Sequence, residues 1–194
     1  MTAGTDGRRA KGERRRRAIL DATLRVVERD GIAGTSHRAI AREAGVPAAS
    51  ISYYFTGIDE LLVATLLESV DLLVADIGRM RARTPADAGA WARTIAENLA
   101  LLVDGRRART IAEYELYLLA ARRPALRPAA RRWIEVAAGQ VDRGLDVPPE
   151  VVTAFFAAVD GLLMQALIAD EPPGAADFEP VLRFLLRPLG AEVG

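Results

Sequence analysis

Apolar positions recur at helical spacing along most of the chain, and nowhere alternate with a period of two long enough for a strand. Ile19, Ala22 and Val26 form one stripe with Leu20, Leu24 and Val27 beside it, predicting a first helix over about 13–30 that Gly31 ends as a left-handed cap. Residues 1–12 (MTAGTDGRRAKG) lack periodicity and are expected to be disordered. Thr35 and Ser36 are N-cap candidates for a short second helix over 37–44, closed by Gly45. A third helix runs from Pro47 or Ala48 to Phe55, with proline tolerated in its first turn. Thr56-Gly57 breaks it. Asp59 and Glu60 then open a long helix to Arg83, with acids at its positive end, along which Leu61, Leu62, Leu66, Val70, Leu73 and Ile77 keep the spacing.

Beyond Thr84-Pro85 the pattern predicts helices over 86–104, 106–122, 125–145, 149–169 and 177–188. Their breakers are Gly105, Arg123-Pro124, the stretch from Asp146 to Pro149, and Glu171-Pro172-Pro173-Gly174. The expected architecture is all-α with about nine helices. It divides into a disordered basic arm (1–12), a three-helix head (13–57) and a larger helical body (58–194).

The interruption at Gly45 has a physical reading. Two short helices joined by a turn of three or four residues containing glycine describe a helix-turn-helix. Ile40, Val46, Ile51 and Tyr54 can hold such a pair together, while Ala41 and Ala44 let the helices cross closely. At 100° per residue Ile51 points inward, with Ala48, Tyr54 and Phe55 within about 60° of it. The other side carries Ala49 and Tyr53, flanked by Ser50 and Ser52. That face is small at its N-terminal end, so the backbone can approach base edges in a major groove. An ordinary helical hairpin in a bundle would use similar residues.

Charge separates the two readings further. The net charge is zero, yet residues 1–55 carry 11 basic and 6 acidic side chains and the remainder carries 15 and 20. An excess of positive charge at one end suits a polyanionic partner, although a solvated tail would show the same arginine run. The chain has no cysteine, which removes disulfides, a thiol nucleophile and Cys-based metal sites. No apolar run is read as reaching the ~18 residues that cross a bilayer, and no signal segment is seen, so the expectation is a cytoplasmic protein without membrane contact. No phosphate loop, paired carboxylates or metal-ligand spacing argues for an enzyme, a metal or a cofactor. The only histidine, His37, opens the second helix, where a phosphate or the helix turn is its expected neighbour.

The stretch RRRAILDATLRVVERDGIAGTSHRAIAREAGVPAASISYYFTGIDELL resembles the N-terminal domain of the TetR family of bacterial transcriptional regulators. The likeness covers residues 14–62 and rests on the Ile-Leu-x-Ala first helix, Gly31, Thr35, Ile40-Ala41, Ala44-Gly45-Val46, Tyr54-Phe55 and Leu61-Leu62 together. It implies a homodimeric repressor that binds a near-palindromic double-stranded operator. It also implies a C-terminal domain that binds a small organic effector and then weakens DNA binding. The candidate DNA contacts are Ser36, His37, Arg38, Pro47, Ala48, Ala49, Ser50, Ser52, Tyr53 and Tyr54. Two positions depart from the family pattern. Ile58 stands where a phosphate-contacting Lys is frequent, and Ser52 where Tyr is frequent.

After about residue 65 the resemblance thins to a general pattern. Residues 112–126 look like the family's ligand-domain helices, and 155–167 like its dimerisation helices. The helices near 150–169 and 177–188 are apolar on more than one face, which suits either a monomer core or a four-helix interface between two copies. Polar or aromatic groups inside apolar faces are effector-pocket candidates: Trp91, Asn98, Tyr114, Tyr117, Trp133, Gln140, Phe155 and Met164. Each is equally a core-packing residue. Two other functional classes fit the head: a helical protein that uses residues 31–58 to bind another protein, and an architectural DNA-binding protein without an effector.

Overall fold

The computed structural model describes residues 3–84, 87–141 and 148–187. Among them the chain is all-α, with nine helices and two single 3-10 turns. They are α1 (Ala3–Asp30), α2 (His37–Glu43), α3 (Ala48–Tyr54), α4 (Ile58–Arg83), α5 (Ala88–Val103), α6 (Arg107–Leu119), α7 (Arg127–Val141), α8 (Pro149–Leu167) and α9 (Ala175–Leu186). The 3-10 turns are Ile32–Gly34 and Pro124–Leu126. The predicted breaks at Pro85 and at Asp146-Val147, and the predicted helix ends at 145 and 188, lie outside the described residues.

The largest difference from the pattern is at the start. Residues 3–12 continue α1 instead of forming a disordered arm. Ala3, Arg8, Arg9, Ala10 and Lys11 favour a helix, no proline interrupts the run, and extending a helix already nucleated over 13–30 is easier than starting one, which offsets the three glycines. An apolar stripe is not needed where a helix projects into water, so periodicity is blind to this extension.

The chain forms two compact units. One comprises residues 1–69 and 111–130, and the other 70–110 and 131–194. The first unit takes in the first part of α4 and residues 111–130 as well as α1 to α3. Ile19, Leu20, Val26, Ile40, Ala41, Ile51, Phe55 and Leu61 form the head's buried cluster. Each of α1 to α4 contributes to it, so the four helices share one core. In the second unit α5 packs extensively on α9 and also meets α8. Small buried residues on α5 (Ala92, Ala96, with Leu99 and Val103) accompany bulky ones on α9 (Phe178, Leu182, Leu186) and α8 (Val152, Phe155, Leu163). Asp87 caps α5, accepting from the N–H groups of Gly89 at 2.9 Å and Ala90 at 3.0 Å. Arg107 donates to the Leu167 carbonyl at the end of α8, 2.5 Å away.

One reading of the sequence needs correcting. α8 spans 19 residues and is long and apolar enough, by length and composition, to cross a bilayer. Its two acids, Glu150 and Asp160, leave the mean hydropathy high. Only 28% of that window is buried, so the helix presents apolar side chains outward.

Candidate nucleic-acid interface

The turn between α2 and α3 is built as its glycine predicts. Gly45 sits at φ +63°, where a Cβ is strained. Its N–H bonds to the Arg42 carbonyl at 3.3 Å, and that of Val46 to the Ala41 carbonyl at 3.0 Å. This pair of bonds is a Schellman motif, which satisfies the last carbonyls of α2 while reversing the chain. Val46 then packs on the head cluster, fixing the exit direction. Pro47 occupies the N-cap position of α3, so that helix begins at Ala48.

The start of α2 is equally defined. Ser36 is its N-cap, and the Ser36 hydroxyl oxygen accepts from the Ala39 N–H at 3.1 Å. That use leaves its O–H free to donate outward. Thr35 is engaged one residue earlier, donating to the Ile32 carbonyl at 2.7 Å. His37 is half-buried, and its Nε2 is shielded from solvent with no hydrogen-bond partner among the described residues. Arg38 is exposed.

On α3 the faces divide largely as the wheel predicts. Ile51 is fully buried and Phe55 nearly so, with the Arg16 guanidinium 5.4 Å from the Phe55 ring centroid. Tyr54 is half-buried and packs on the cluster, while Tyr53 points outward; the two rings meet edge-to-face with centroids 5.0 Å apart. Pro47, Ala49 and Ser52 are exposed, and Ser50 is half-buried. Ala48, which the wheel turns toward the core, is exposed as well. A helix of seven residues meets the cluster only through its second turn, and Ala48 lies before it.

Ile58 explains one departure from the family pattern. It packs against the head cluster, where a lysine would have to bury its stem and lift its ammonium clear. The residue therefore packs at the edge of the core.

Part of the head's positive charge is paired within the head. Glu43 on α2 accepts from Arg25 and from Arg29 on α1, both at 2.8 Å. The two guanidiniums, Arg25 first, hold the Glu43 carboxyl below the usual carboxylate range. Arg29 also bonds Asp30, which holds that carboxyl low and raises the arginine further. Arg25 and Arg29 thus tie α2 to α1. At the far flank, Glu60 accepts from the Thr56 N–H at 2.7 Å and from its hydroxyl at 2.6 Å, closing the entry to α4 and lowering its own pKa.

The effector-pocket candidates are spread over both units. Tyr114 and Tyr117 are half-buried in the first. Trp91, Asn98 and Trp133 are half-buried in the second, where Phe155 is buried and Met164 exposed. The side chain of Gln140 lies outside the described residues. Glu115 and Arg123 were not singled out by the sequence, yet both bond to the head. Glu115 accepts from the Ile32 N–H at 3.0 Å, and Arg123 donates to Asp59 at 2.5 Å. Separations of 83 and 64 residues leave no local signal.

A glycine-turned helix pair on an all-α scaffold, with a small outward face and a basic flank, defines a helix-turn-helix DNA-binding regulator. Residues 19–65 match the family described as bacterial regulatory proteins, tetR family, and residues 86–188 match the tetracyclin repressor-like C-terminal domain. The chain belongs to the TetR family and is a transcriptional regulator of that family. Among solved structures it is similar to the multidrug binding protein EbrR complexed with ethidium, at 38% identity over 88% of this chain and 98% of that one, with a TM-score of 0.73. It is also similar to the TetR-family member SCO1917 from Streptomyces coelicolor A3, at 38% identity over 88% and 97%, with a TM-score of 0.71. Among curated proteins it matches the nicotine-responsive transcriptional repressor HdnoR of Paenarthrobacter nicotinovorans, 41% identical over 66 residues, or 34% of each chain. It also matches the regulator BetI of Burkholderia thailandensis, 37% identical over 70 residues, or 36% of each. The matched stretch therefore spans about a third of those curated relatives.

Proposed function

We propose that the protein is an effector-responsive repressor that binds a near-palindromic operator as a homodimer. The carrying observation is the outward face of α3, where Ala49, Ser52 and Tyr53 stand exposed above a buried Ile51. Small residues bring the helix backbone close to base edges, and Tyr53 offers a ring and a hydroxyl near the centre. Ser36, Arg38 and the N-terminal arginines serve the phosphates.

Two copies are supported by the second unit. Met164 on α8 and Ile168 at its C-cap are exposed at i,i+4 spacing, and Val181 and Phe184 on α9 at i,i+3. Each pair shares a helix face. Large apolar side chains left in water on two helices suit a self-complementary contact about a two-fold axis. Two reading heads then meet two half-sites about one helical turn of DNA apart.

The effector is an aromatic organic compound in this reading. Its support is the likeness to EbrR, whose structures hold ethidium, proflavin and malachite green, together with the half-buried Trp91 and Trp133 and the buried Phe155. Aromatic side chains suit flat rings.

Selection of bound fragments from the source genome tests the reading. A preferred, near-palindromic site is expected, with binding that falls when an aromatic ligand such as ethidium is added and that steepens as salt is lowered. Equal retention of random DNA at moderate salt would end it.

A further inference from the structure

We propose that Glu115 and Arg123 are positioning residues for DNA recognition, holding the α2–α3 pair at both of its ends from a segment far away in sequence. The proposal rests on the DNA-binding reading above.

The first anchor sits where α1 turns into α2. Gly31 takes φ +66°, and the chain enters the 3-10 turn Ile32–Gly34. The first N–H groups of such a turn have no partner within it. Gly31 has no side chain to cap them, whereas Ser36 does this for α2. Glu115 on α6 supplies what is missing: its Oε2 accepts from the Ile32 N–H at 3.0 Å. A Cβ on Gly31 would lie 3.5 Å and 3.8 Å from the two carboxylate oxygens. The carboxylate therefore lies against the glycine and caps the turn in its place.

The second anchor sits beyond α3. Arg123 donates to the Asp59 carboxylate at 2.5 Å, and Asp59 is the second residue of α4. Residues 32 and 59 bracket α2 and α3. The segment that reaches both is itself stiff. After α6 the N–H groups of Ala120, Ala121, Arg122 and Arg123 turn back onto the carbonyls of Tyr117, Leu118 and Leu119. Leu116 and Leu126 on either side are fully buried. Segment 115–123 thus links the turn before α2 to the start of α4, the two points between which the helix pair is strung.

The two contacts differ in weight. The Glu115 bond is partly buried and charge-assisted, so it carries most of the positioning. The Arg123–Asp59 pair is about half exposed and is screened.

Binding of the full chain to the tightest duplex recovered from a random DNA library tests this, with hydrogen exchange at the Ile32 amide followed by NMR. Glu115→Ala is expected to lose about tenfold or more in affinity and to speed Ile32 exchange, as loss of a hydrogen bond to a charged group predicts. Glu115→Gln keeps an accepting oxygen and is expected to stay within about threefold of the wild type. Arg123→Asp should weaken binding a few-fold, and adding Asp59→Arg should restore it; this pair decides the matter if Glu115→Ala does not fold. Unchanged affinity in the variants that fold overturns the proposal. Equal losses in Glu115→Ala and Glu115→Gln with unchanged Ile32 exchange overturn it too. A wild-type chain that selects no DNA would instead remove the reading on which the proposal stands.

Discussion

Ile51 and Tyr53 are two residues apart on one short helix and stand at opposite extremes, with 0% and 82% of their surface exposed. The first holds α3 in the head and the second points into solvent. Substitutions at the two positions should therefore fail in different ways. Tyr53→Ala is expected to leave the melting temperature unchanged and to cost about tenfold or more in operator affinity, read by gel shift, as loss of one good base-edge contact would. Ile51→Ala is expected to cost about 2–5 kcal/mol of stability, read by urea unfolding, through the cavity it leaves.

The glycines offer a second contrast. Gly45 and Gly78 both have open space where a Cβ would go, but only Gly45 has a positive φ. Gly45→Ala should destabilise by about 1–2 kcal/mol through backbone strain alone. Gly78→Ala, inside α4, should stabilise by about 0.5–1 kcal/mol. Chemical denaturation of the two variants side by side checks the signs.

Acid should loosen α2 from α1. The Glu43 carboxyl is held below its ordinary value of 4.5 by Arg25 and Arg29. A depressed folded pKa gives stability that is complete above the unfolded value and is lost as pH falls through the folded one. The acid limb of the wild-type stability curve, below about pH 4.5, should thus be flatter in Glu43→Gln. Melting temperatures between pH 3 and 6 would show it, and parallel curves would count against the linkage.

Assembly should depend on the outer face of α9. Phe184 is 65% exposed and Ile168, at the C-cap of α8, is 83% exposed. Phe184→Asp is expected to shift the sedimentation coefficient from that of a dimer to that of a monomer while the far-ultraviolet spectrum stays helical. Because one head reaches only one half-site, affinity for the full operator should drop by a factor of 100 or more, about the gain from linking two sites.

The head was legible in the sequence because its constraints are local. Gly45, Ser36 and the Ile51 stripe each act over a few residues, and a helix-turn-helix is little more than such constraints combined. The all-α architecture was legible for the same reason. What escaped was non-local or aperiodic. Glu115 meets Ile32 only through the tertiary fold, and Ile58 reads as a missing lysine until its packing is seen. Charge counting treated Arg25 and Arg29 as available, whereas Glu43 occupies both. Hydropathy along α8 was interrupted by two acids to the eye, yet their weight is small over 19 residues.

The unbroken course of α1 has a consequence for the kinetics of finding DNA. Arg9 and Lys11 ride on the same helix as Gly12, where a Cβ would lie 3.8 Å from the Tyr54 hydroxyl. Their distance from that point along α1 is set by a rise of about 1.5 Å per residue. A loose arm surrenders about 1–2 kcal/mol of backbone entropy for each residue it orders on a target. A helical one has surrendered it during folding. In the proposed DNA complex it would meet the duplex as a preset part of the surface, trading the long reach of a fly-casting tail for a shorter search once the head has landed.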